Sequence, residues 1–333
     1  MTNDVLLAVR DLRAYFHTNA GVARAVDGIS FEIKRGECVA LVGESGCGKS
    51  VTALTIMRLL AMPPARIAGG AVLFKGRDLL ELSEAEMCAV RGREIAMIFQ
   101  EPQTALNPIF PVGHQIAEAY RTHHRQTRSK DIWDLVIAAM RQVGIPDAEQ
   151  RCLDYPHQLS GGMKQRVCIA MALSCNPELI IADESTTALD VTIQAQILEL
   201  LRKLQVDRHL SLLLITHDLS VVAEMARRTC VMYAGKIVEQ CATADIFRRP
   251  LHPYTQGLLR ARPGVDSSRL GRRRLAVIPG CVPAATQFED HCRFSSRCSM
   301  GTAVCKQQEP PPQNYGVEHQ VACWQKPRGR NEN

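Results

Sequence analysis

The sequence contains no apolar run that approaches the roughly 18 residues needed to cross a bilayer as a helix. Its first residues also lack the hydrophobic segment of a secretion signal, so we expect a cytoplasmic protein. Aromatic residues make up only 5% of the chain, and they do not alternate with basic residues as in surfaces that stack bases. The net charge of +6 is mild, and we expect an anionic ligand or a membrane-proximal surface and no nucleic-acid partner.

A disulfide scaffold is not expected either, although the chain has 13 cysteines, because thiols stay reduced in the cytoplasm. Most of these cysteines are scattered singly and are interpreted as small core or surface residues. No internal repeat is evident in the sequence. The length of 333 residues allows two domains, or one large domain with an appendage.

The most informative stretch is a glycine-rich segment near the N-terminal quarter of the chain. An apolar run at 38–42 leads into Gly43-x-x-x-x-Gly48-Lys49-Ser50, and helix-forming residues follow. Strand, glycine loop and helix in this order predict a P-loop, in which backbone N–H groups converge on an anion at a helix N-terminus. Lys49 is expected to reach the β- and γ-phosphates, and the Ser50 hydroxyl to bind Mg²⁺. The chain is therefore predicted to bind a nucleoside triphosphate.

Two later segments add chemistry to this loop. The apolar run Leu179–Ala182 predicts a buried strand that ends in Asp183 and Glu184. Asp183 would face the Mg²⁺, and Glu184 could orient or deprotonate an attacking water. The segment Leu159–Arg166 contains a serine and two glycines before a helix, which predicts a second anion-binding helix N-terminus. One nucleotide rarely needs two such sites, so the chain has either two ligands or a second copy that completes the site.

Short apolar runs and turns over 4–42 predict an antiparallel sheet layer before the P-loop strand. A strand pair is predicted at Ala71–Phe74 and Glu94–Phe99, and a helical insert at about 106–151. Farther on, strands alternate with helices, which predicts a parallel sheet that binds ligands at the carboxyl ends of its strands. A closing hairpin is predicted around Ala234-Gly235.

At this point six ordered motifs resemble those of the ATP-binding cassette (ABC) ATPases over residues 1–260. They are the P-loop Gly43–Ser50, the Q-loop Gln100, the signature Leu159–Gln165, the Walker B pair Asp183-Glu184, the D-loop Ala188-Leu189-Asp190 and the switch histidine His217. The resemblance implies an α/β P-loop NTPase fold with a RecA-like core, an antiparallel β layer and a helical ABC subdomain at about 103–158. A cysteine-rich extension would follow at 261–333.

The resemblance also implies roles for individual residues. The catalytic set would be Glu184 as base, His217 at the γ-phosphate and Gln100 as sensor, and Mg²⁺ would be held by Ser50, Gln100 and Asp183. The implied ATP-binding residues are Phe16 (with Tyr15 as the alternative for adenine stacking), Gly43, Glu44, Ser45, Gly46, Cys47, Gly48, Lys49, Ser50, Val51, Ser160, Gly161, Gly162 and Gln165. In this family two cassettes pair head to tail, and each ATP lies between the P-loop of one and the signature of the other.

Four further motifs resemble the ATPases of dipeptide, oligopeptide and nickel importers, and the segment Gly43–Leu60 most resembles the first, D-type subunit. These motifs are Tyr155–Gly162, Gln100-Glu101-Pro102, His252-Pro253-Tyr254-Thr255 and Ile278-Pro279-Gly280. The implied partners are two transmembrane permeases docked near the helical insert, a second and non-identical ATPase, and, indirectly, an extracytoplasmic substrate-binding protein. The protein would then work peripherally at the cytoplasmic face of the inner membrane. A nickel or metal-chelate importer and a soluble, non-transport ABC ATPase remain the alternatives.

The C-terminal region carries a group of four cysteines, namely Cys292, Cys298, Cys305 and Cys323. Four thiolates can enclose Zn²⁺ or a 4Fe–4S cluster, but the C-x2-C pairs of zinc ribbons are absent. The importer family has a Cys-x-Phe-x-x-Arg-Cys pattern here, which residues 292–298 match, and some members hold the cluster. We therefore favour the cluster, with zinc and free thiols as alternatives, and we leave Cys281 out of the ligand set. His291 and His319 are alternative ligands, but we expect them to be solvent-exposed.

One position of the P-loop departs from the related importers, which usually have serine where this chain has Cys47. The backbone N–H of Cys47 can still serve the phosphate, so we expect activity. A thiol at an anion-binding helix N-terminus is expected to be sensitive to oxidation.

Overall fold

The computed structural model describes residues 4–124, 128–184, 190–261, 277–316 and 318–325. The strands in these ranges are β1 (Val5–Thr18), β2 (Gly21–Lys34), β3 (Cys38–Val42), β4 (Ala65–Phe74), β5 (Arg77–Asp78), β6 (Ile95–Ile98), β7 (Leu179–Asp183), β8 (Ser211–Thr216), β9 (Arg228–Tyr233), β10 (Lys236–Ala242), β11 (Gln313–Asn314) and β12 (Gln320–Val321). The α-helices are α1 (Lys49–Ile56), α2 (Glu84–Val90), α3 (Pro102–Ala105), α4 (Val112–His123), α5 (Ser129–Gln142), α6 (Ala148–Arg151), α7 (Gly161–Leu173), α8 (Val191–Arg208), α9 (Leu219–Met225), α10 (Thr243–Arg248) and α11 (Pro253–Arg260).

The chain divides into two compact units. The P-loop unit consists of Val5–Ile33, Cys38–Leu80 and the described residues from Ile215 onward, and the helical unit is formed mainly by Glu81–Leu214 together with Lys34–Glu37. This division does not decide the predicted bounds of 1–260, 103–158 and 261–333, which remain predictions. No helix in the described ranges has both the length and the apolar character that a membrane crossing requires.

The P-loop unit contains an antiparallel layer with the strand order β2-β1-β4-β5. A second group of strands runs in the order β11-β12-β10-β9-β3, and β3 pairs in parallel with β9. Strand β3 is buried at every residue, which explains its continuous apolar sequence. The predicted hairpin is confirmed, since β9 and β10 pair antiparallel across Ala234 and Gly235, both of which have positive φ.

The helical unit contains β6 and β7, which pair in parallel, and helices α2 to α8. Helices α4, α5 and α6 lie in the stretch that the sequence predicts to be helical. Strand β7 is fully buried and ends at Asp183, so the strand delivers this carboxylate to the carboxyl edge of the parallel pair. The α/β class with parallel strands and an antiparallel layer is confirmed.

One predicted pairing is wrong. Ala71–Phe74 lies within β4, which pairs antiparallel with β1, whereas Glu94–Phe99 contains β6, which pairs in parallel with β7. The two runs follow one another in the sequence, yet each joins a different partner strand. Apolar pattern sets which face of a strand is buried, but it does not select the partner strand.

Candidate functional site

The predicted P-loop connects β3 to α1 and has a backbone that only glycine can supply at two positions. A Cβ atom on Gly43 would lie 2.1 Å from the carbonyl oxygen of Met232, and one on Gly48 would lie 2.3 Å from that of Ala25. Gly48 also has φ of +108° and is the residue from which α1 starts. The loop is therefore packed tightly against its neighbours and opens at the N-terminus of an eight-residue helix.

Lys49 is buried in this loop, with its side chain turned back along the backbone. Its Nζ donates hydrogen bonds to the carbonyl oxygens of Gly43 (2.9 Å) and Glu44 (3.1 Å). Ser50 and Val51 are half-buried, while Ser45 and Gly46 are exposed at the loop tip. An ammonium held by exchangeable carbonyl contacts at a helix N-terminus can transfer its donors to phosphate oxygens.

The Cys47 thiol is less accessible than the sequence suggested. The residue is fully buried, and burial raises the pKa of its thiol, against the opposing effect of the nearby Lys49 ammonium. The reactive form of cysteine is the exposed thiolate. Burial and the raised pKa therefore argue against the expected sensitivity of Cys47 to oxidation, which its reaction with a thiol reagent would measure.

Glu44 makes contacts that sequence reasoning missed. Its backbone N–H donates to Tyr254 Oη at 2.9 Å, and its carboxylate accepts two hydrogen bonds from the guanidinium of Arg297, at 2.7 and 3.0 Å. Tyr254 belongs to the His-Pro-Tyr-Thr motif, and Arg297 to the cysteine motif. The His-Pro-Tyr-Thr motif and the cysteine motif thus meet at the loop, although both are far from it in the sequence.

The two candidate adenine-stacking residues, both in β1, differ in their contacts. The Tyr15 hydroxyl donates to Asp27 Oδ1 at 2.5 Å. Phe16 is half-buried on the opposite face of the strand, since successive side chains of a strand alternate. The Tyr15 side chain is therefore tied to Asp27, and the Phe16 ring lies on the other face of β1.

In the helical unit, the predicted base and sensor lie side by side. Gln100 Nε2 donates to Glu184 Oε2 at 3.1 Å. Glu184 follows the buried Asp183 at the end of β7 and has φ of +44°, which is uncommon for a residue with a side chain. Strained backbone is often found at functional positions.

The signature segment also has the predicted form in the helical unit. Ser160 caps α7, since its Oγ accepts a hydrogen bond from the backbone N–H of Met163 at 3.3 Å. Ser160 and Gly161 are exposed, and Gly162 is half-buried against Ile193. Gln165 is fully buried, and neither atom of its amide group has a hydrogen-bond partner among the described residues.

The two remaining motifs are described only in part. His217 is exposed and follows β8 directly. Of the D-loop, Ala188 and Leu189 lie outside the described residues, whereas Asp190 caps α8 by accepting a hydrogen bond from Ile193 N at 2.9 Å. Neither placement tests the functional role assigned to these residues.

The four C-terminal cysteines occupy one region of the P-loop unit. Burial raises the pKa of Cys292 to about 11, and the proximity of Cys305, Cys323 and Cys298 raises it further. Cys305 and Cys323 are buried, and Cys281 is exposed. All four candidate ligands belong to the described residues, and no three of their sulfur atoms lie within 4.8 Å of one another.

A different group of possible ligands lies beside them. Glu239, Cys241 and His319 are buried, and their ligating atoms lie within 4.8 Å of one another. However, His319 Nε2 already contacts Glu239 Oε1 at 2.8 Å, and both carboxylate oxygens accept backbone N–H groups, those of Leu251 and His252. We interpret this group as a satisfied structural network. The expectation that His319 is exposed is wrong, because the residue pairs with a buried carboxylate.

Comparison with known proteins gives two family matches. The family described as "ABC transporter" matches residues 26–187, and "Oligopeptide/dipeptide transporter, C-terminal region" matches residues 238–305. A protein of Sinorhizobium fredii described as a probable peptide ABC transporter ATP-binding protein is 51% identical over 321 residues, which are 96% of this chain and 95% of that protein. A dipeptide transport ATP-binding protein of Bacillus subtilis is 48% identical over 319 residues, or 96% of this chain and 94% of that protein.

Among solved structures, a dimeric bacterial ABC transporter cassette superimposes with a TM-score of 0.64 at 25% identity. The match covers 71% of this chain and 98% of that structure. The shared part is therefore one complete cassette, and the remainder of this chain lies outside it.

Proposed function

Because the chain belongs to the ATP-binding proteins of peptide ABC transporters, we propose that it binds and hydrolyses ATP to drive peptide import through two separate permease subunits. The observation that carries the nucleotide part is the loop Gly43–Ser50, with buried Lys49 at the start of α1. The match of the C-terminal region to the oligopeptide and dipeptide transporter family supports the peptide part. The alternative is a nickel or metal-chelate importer, and transport of such a substrate instead of peptides would favour it.

Hydrolysis requires a residue that takes a proton from the attacking water, and we assign this role to Glu184. Gln100 holds that carboxylate through a hydrogen bond, so it orients the base and senses the γ-phosphate. The water oxygen bonds to the γ-phosphorus, the bond to the β–γ bridging oxygen breaks, and ADP and phosphate leave. His217, which follows β8, is assigned to the γ-phosphate.

Further residues are assigned to nucleotide and magnesium. Ser50, Gln100 and Asp183 supply the oxygen ligands that Mg²⁺ prefers, and the ion when bound neutralises charge on the phosphates. Phe16 is assigned to the adenine. The loop residues Gly43 to Val51 supply backbone N–H groups and the Lys49 ammonium, which position the triphosphate.

We propose that each ATP is shared with a second cassette. The exposed Ser160 and Gly161 at the start of α7 form a second anion-binding terminus, as a partner's nucleotide would require. A related cassette is a dimer in its solved structure. We assign a non-identical ATPase as the partner, with a substrate-binding protein acting on the outer side of the permeases.

The permeases are proposed to dock on the helical unit, with the protein held peripherally at the cytoplasmic face of the inner membrane. Large apolar side chains are exposed there, notably Ile109, Phe110 and Leu153, with exposed fractions of 71%, 50% and 62%. Ile109 and Phe110 are consecutive, and contiguous exposed apolar surface marks sites of protein contact. Gln100 follows Phe99, which is also exposed, so a permease contact here could act on the Gln100–Glu184 pair.

Cys292, Cys298, Cys305 and Cys323 are proposed to hold a 4Fe–4S cluster, with zinc as the alternative. Four soft donors in one partly buried region fit either group. The Cys-x-Phe-x-x-Arg-Cys pattern at residues 292–298 is the reason for placing the cluster before zinc. Such a cluster could supply electron transfer or structural cross-linking. Iron and sulfide analysis of anaerobically purified protein tests this assignment, and stoichiometric zinc without iron would overturn it.

Copurification tests the functional proposal as a whole. A tagged form of this chain, expressed with its neighbouring reading frames, should retain two permeases and a second ATPase. In vesicles, the complex should hydrolyse ATP faster when a loaded peptide-binding protein is present. Association with ribosomes and with no permease would contradict the transport proposal.

A further inference from the structure

Arg297, which directly precedes one of the four cysteines, forms an ion pair with the P-loop. Its Nη1 and Nη2 donate to Glu44 Oε2 and Oε1 at 2.7 and 3.0 Å, in a two-pronged arrangement. The Arg297 side chain is only 5% exposed, and that of Glu44 is 28% exposed. An ion pair that is largely shielded from water and doubly hydrogen-bonded is worth more than a surface pair.

The guanidinium of Arg297 is fixed by contacts on its other sides. Its Nε donates to the carbonyl oxygen of Pro279 at 2.9 Å. The central guanidinium carbon, Cζ, lies 5.7 Å from the ring centre of Tyr233. Gly280 passes close to the arginine stem with φ of +77°. Arg297 is thus oriented before any nucleotide arrives, and little side-chain freedom is lost when it holds Glu44.

Tyr254 supports the same loop residue from another element. Its hydroxyl accepts the backbone N–H of Glu44, and its ring is completely buried against Tyr233 and Phe294, with ring centres 4.7 and 5.5 Å away. Phe294 lies between the two cysteines of the Cys-x-Phe-x-x-Arg-Cys pattern. Helix α11 and the cysteine motif therefore both fix the loop at Glu44.

Arg293 supports the other end of the loop indirectly. It donates to the carbonyl oxygen of Ala234 at 2.6 Å and forms an ion pair with Asp27. The next residue, Gly235, donates its backbone N–H to the carbonyl oxygen of Cys47 at 2.9 Å. The C-terminal segment thus contacts the loop at Glu44 and braces the turn that contacts it at Cys47.

We infer that Arg297 is a positioning residue for ATP binding, acting through Glu44 on the shape and charge of the phosphate-binding loop. This inference rests on the proposed role of Gly43–Ser50 as that loop. Without Arg297, the Glu44 carboxylate would lack its counter-charge beside an incoming triphosphate and would repel it. The loop would also lose one of the contacts that keep its N–H groups convergent.

The test compares ATP affinity and steady-state hydrolysis of the purified full chain, or of its transporter complex, among five forms. These are wild type, Arg297→Gln, Arg297→Lys, Glu44→Gln/Arg297→Gln and Arg24→Gln. Arg24 is the matched control, because it pairs with Asp290 of the same C-terminal segment at 2.9 Å, and among the described residues no hydrogen bond or ion pair joins its side chain to residues 43–50. A fluorescent ATP analogue serves as the binding probe.

Arg297→Gln should weaken ATP binding and raise KM on the order of tenfold, with a smaller change in kcat, as expected for the loss of a charge-assisted pair. The double variant should recover much of the affinity, because it removes the unpaired carboxylate together with the arginine. Arg297→Lys should lie between these values, since lysine keeps the charge but not the two-pronged geometry. Arg24→Gln should bind ATP as wild type does.

Equal ATP affinities for Arg297→Gln and Arg24→Gln would overturn the inference, and so would a double variant that binds no better than Arg297→Gln. Circular dichroism and thermal unfolding show whether each form is folded. If Arg297→Gln does not fold, Arg297→Lys and the double variant decide the question. Lys49→Ala separates this inference from the proposed function. Normal ATP binding in that variant would refute the proposal that Gly43–Ser50 binds the phosphates. If Lys49→Ala no longer binds ATP, that proposal stands and the Arg297 variants test the role of Arg297 separately.

Discussion

Gln100 Nε2 lies 3.1 Å from Glu184 Oε2, so the sensor of the Q-loop and the proposed catalytic base form a direct hydrogen bond. Glu184 is held in a left-handed backbone conformation immediately after β7, while Gln100 follows β6. The two strands are neighbours in a parallel pair. A movement of the segment after β6 would therefore change the orientation of the proposed base, and if a permease docks on the helical unit as proposed, this hydrogen bond would link it to hydrolysis.

Replacing Gln100 by alanine should weaken that route without removing the base. We expect basal ATP hydrolysis to fall by about tenfold or more, because the variant loses the hydrogen bond to Glu184 and the proposed oxygen ligand of Mg²⁺. Stimulation by the permeases and a loaded binding protein should be lost to a larger degree. The ratio of stimulated to basal ATPase rate in reconstituted complexes checks this, and an unchanged ratio would count against coupling through Gln100.

Cys47 should react slowly with thiol reagents in the folded protein, because it is buried and burial raises the pKa of its thiol. Cys88 and Cys281 are exposed and provide the internal comparison. Mass spectrometry after brief treatment with iodoacetamide should find both of them modified long before Cys47. Modification of Cys47 as fast as Cys88 would show that the loop opens more readily than its packing implies.

His252 gives the folded state a specific pH dependence. It is buried and caps α11 by accepting the N–H of Tyr254 at Nδ1, and burial lowers its pKa to about 4, although Glu239 opposes the shift. The unfolded chain takes up this proton below about pH 6.5, whereas the folded chain does not until about pH 4. The contribution of His252 to the free energy of unfolding should therefore be fully present above pH 6.5. It should fall by up to about 3 kcal/mol as the pH decreases towards 4.

The matched variant for this prediction is His252→Asn, since asparagine can cap a helix but does not titrate. Its unfolding free energy, measured by urea titration between pH 7 and pH 4, should decline less steeply than that of the wild type. Parallel declines would mean that other groups account for the acid sensitivity.

The P-loop was predictable because its signals are local: a buried strand, glycines at fixed offsets and Lys-Ser at a helix start. The same holds for Asp183 and Glu184, which end an apolar run. The pair of Arg297 and Glu44 was not predictable, because 253 residues separate its members and neither neighbourhood indicates a partner.

Burial was the other quantity that the sequence did not provide. Cys47 and His319 have polar or reactive side chains in segments that read as accessible, yet both are enclosed. Whether a thiol or an imidazole is exposed depends on what distant segments pack over it. For His319 that partner is Glu239, 80 residues earlier in the chain.

The central claim, that this chain hydrolyses ATP with Glu184 as the base, is tested most directly by Glu184→Gln. Glutamine keeps the shape of the side chain but cannot accept the proton, so turnover should fall by roughly 10²- to 10⁴-fold. ATP affinity should be retained, and the ATP-bound complex with the second cassette should accumulate. Hydrolysis at the wild-type rate in this variant, measured on the same purified complex, would contradict the account.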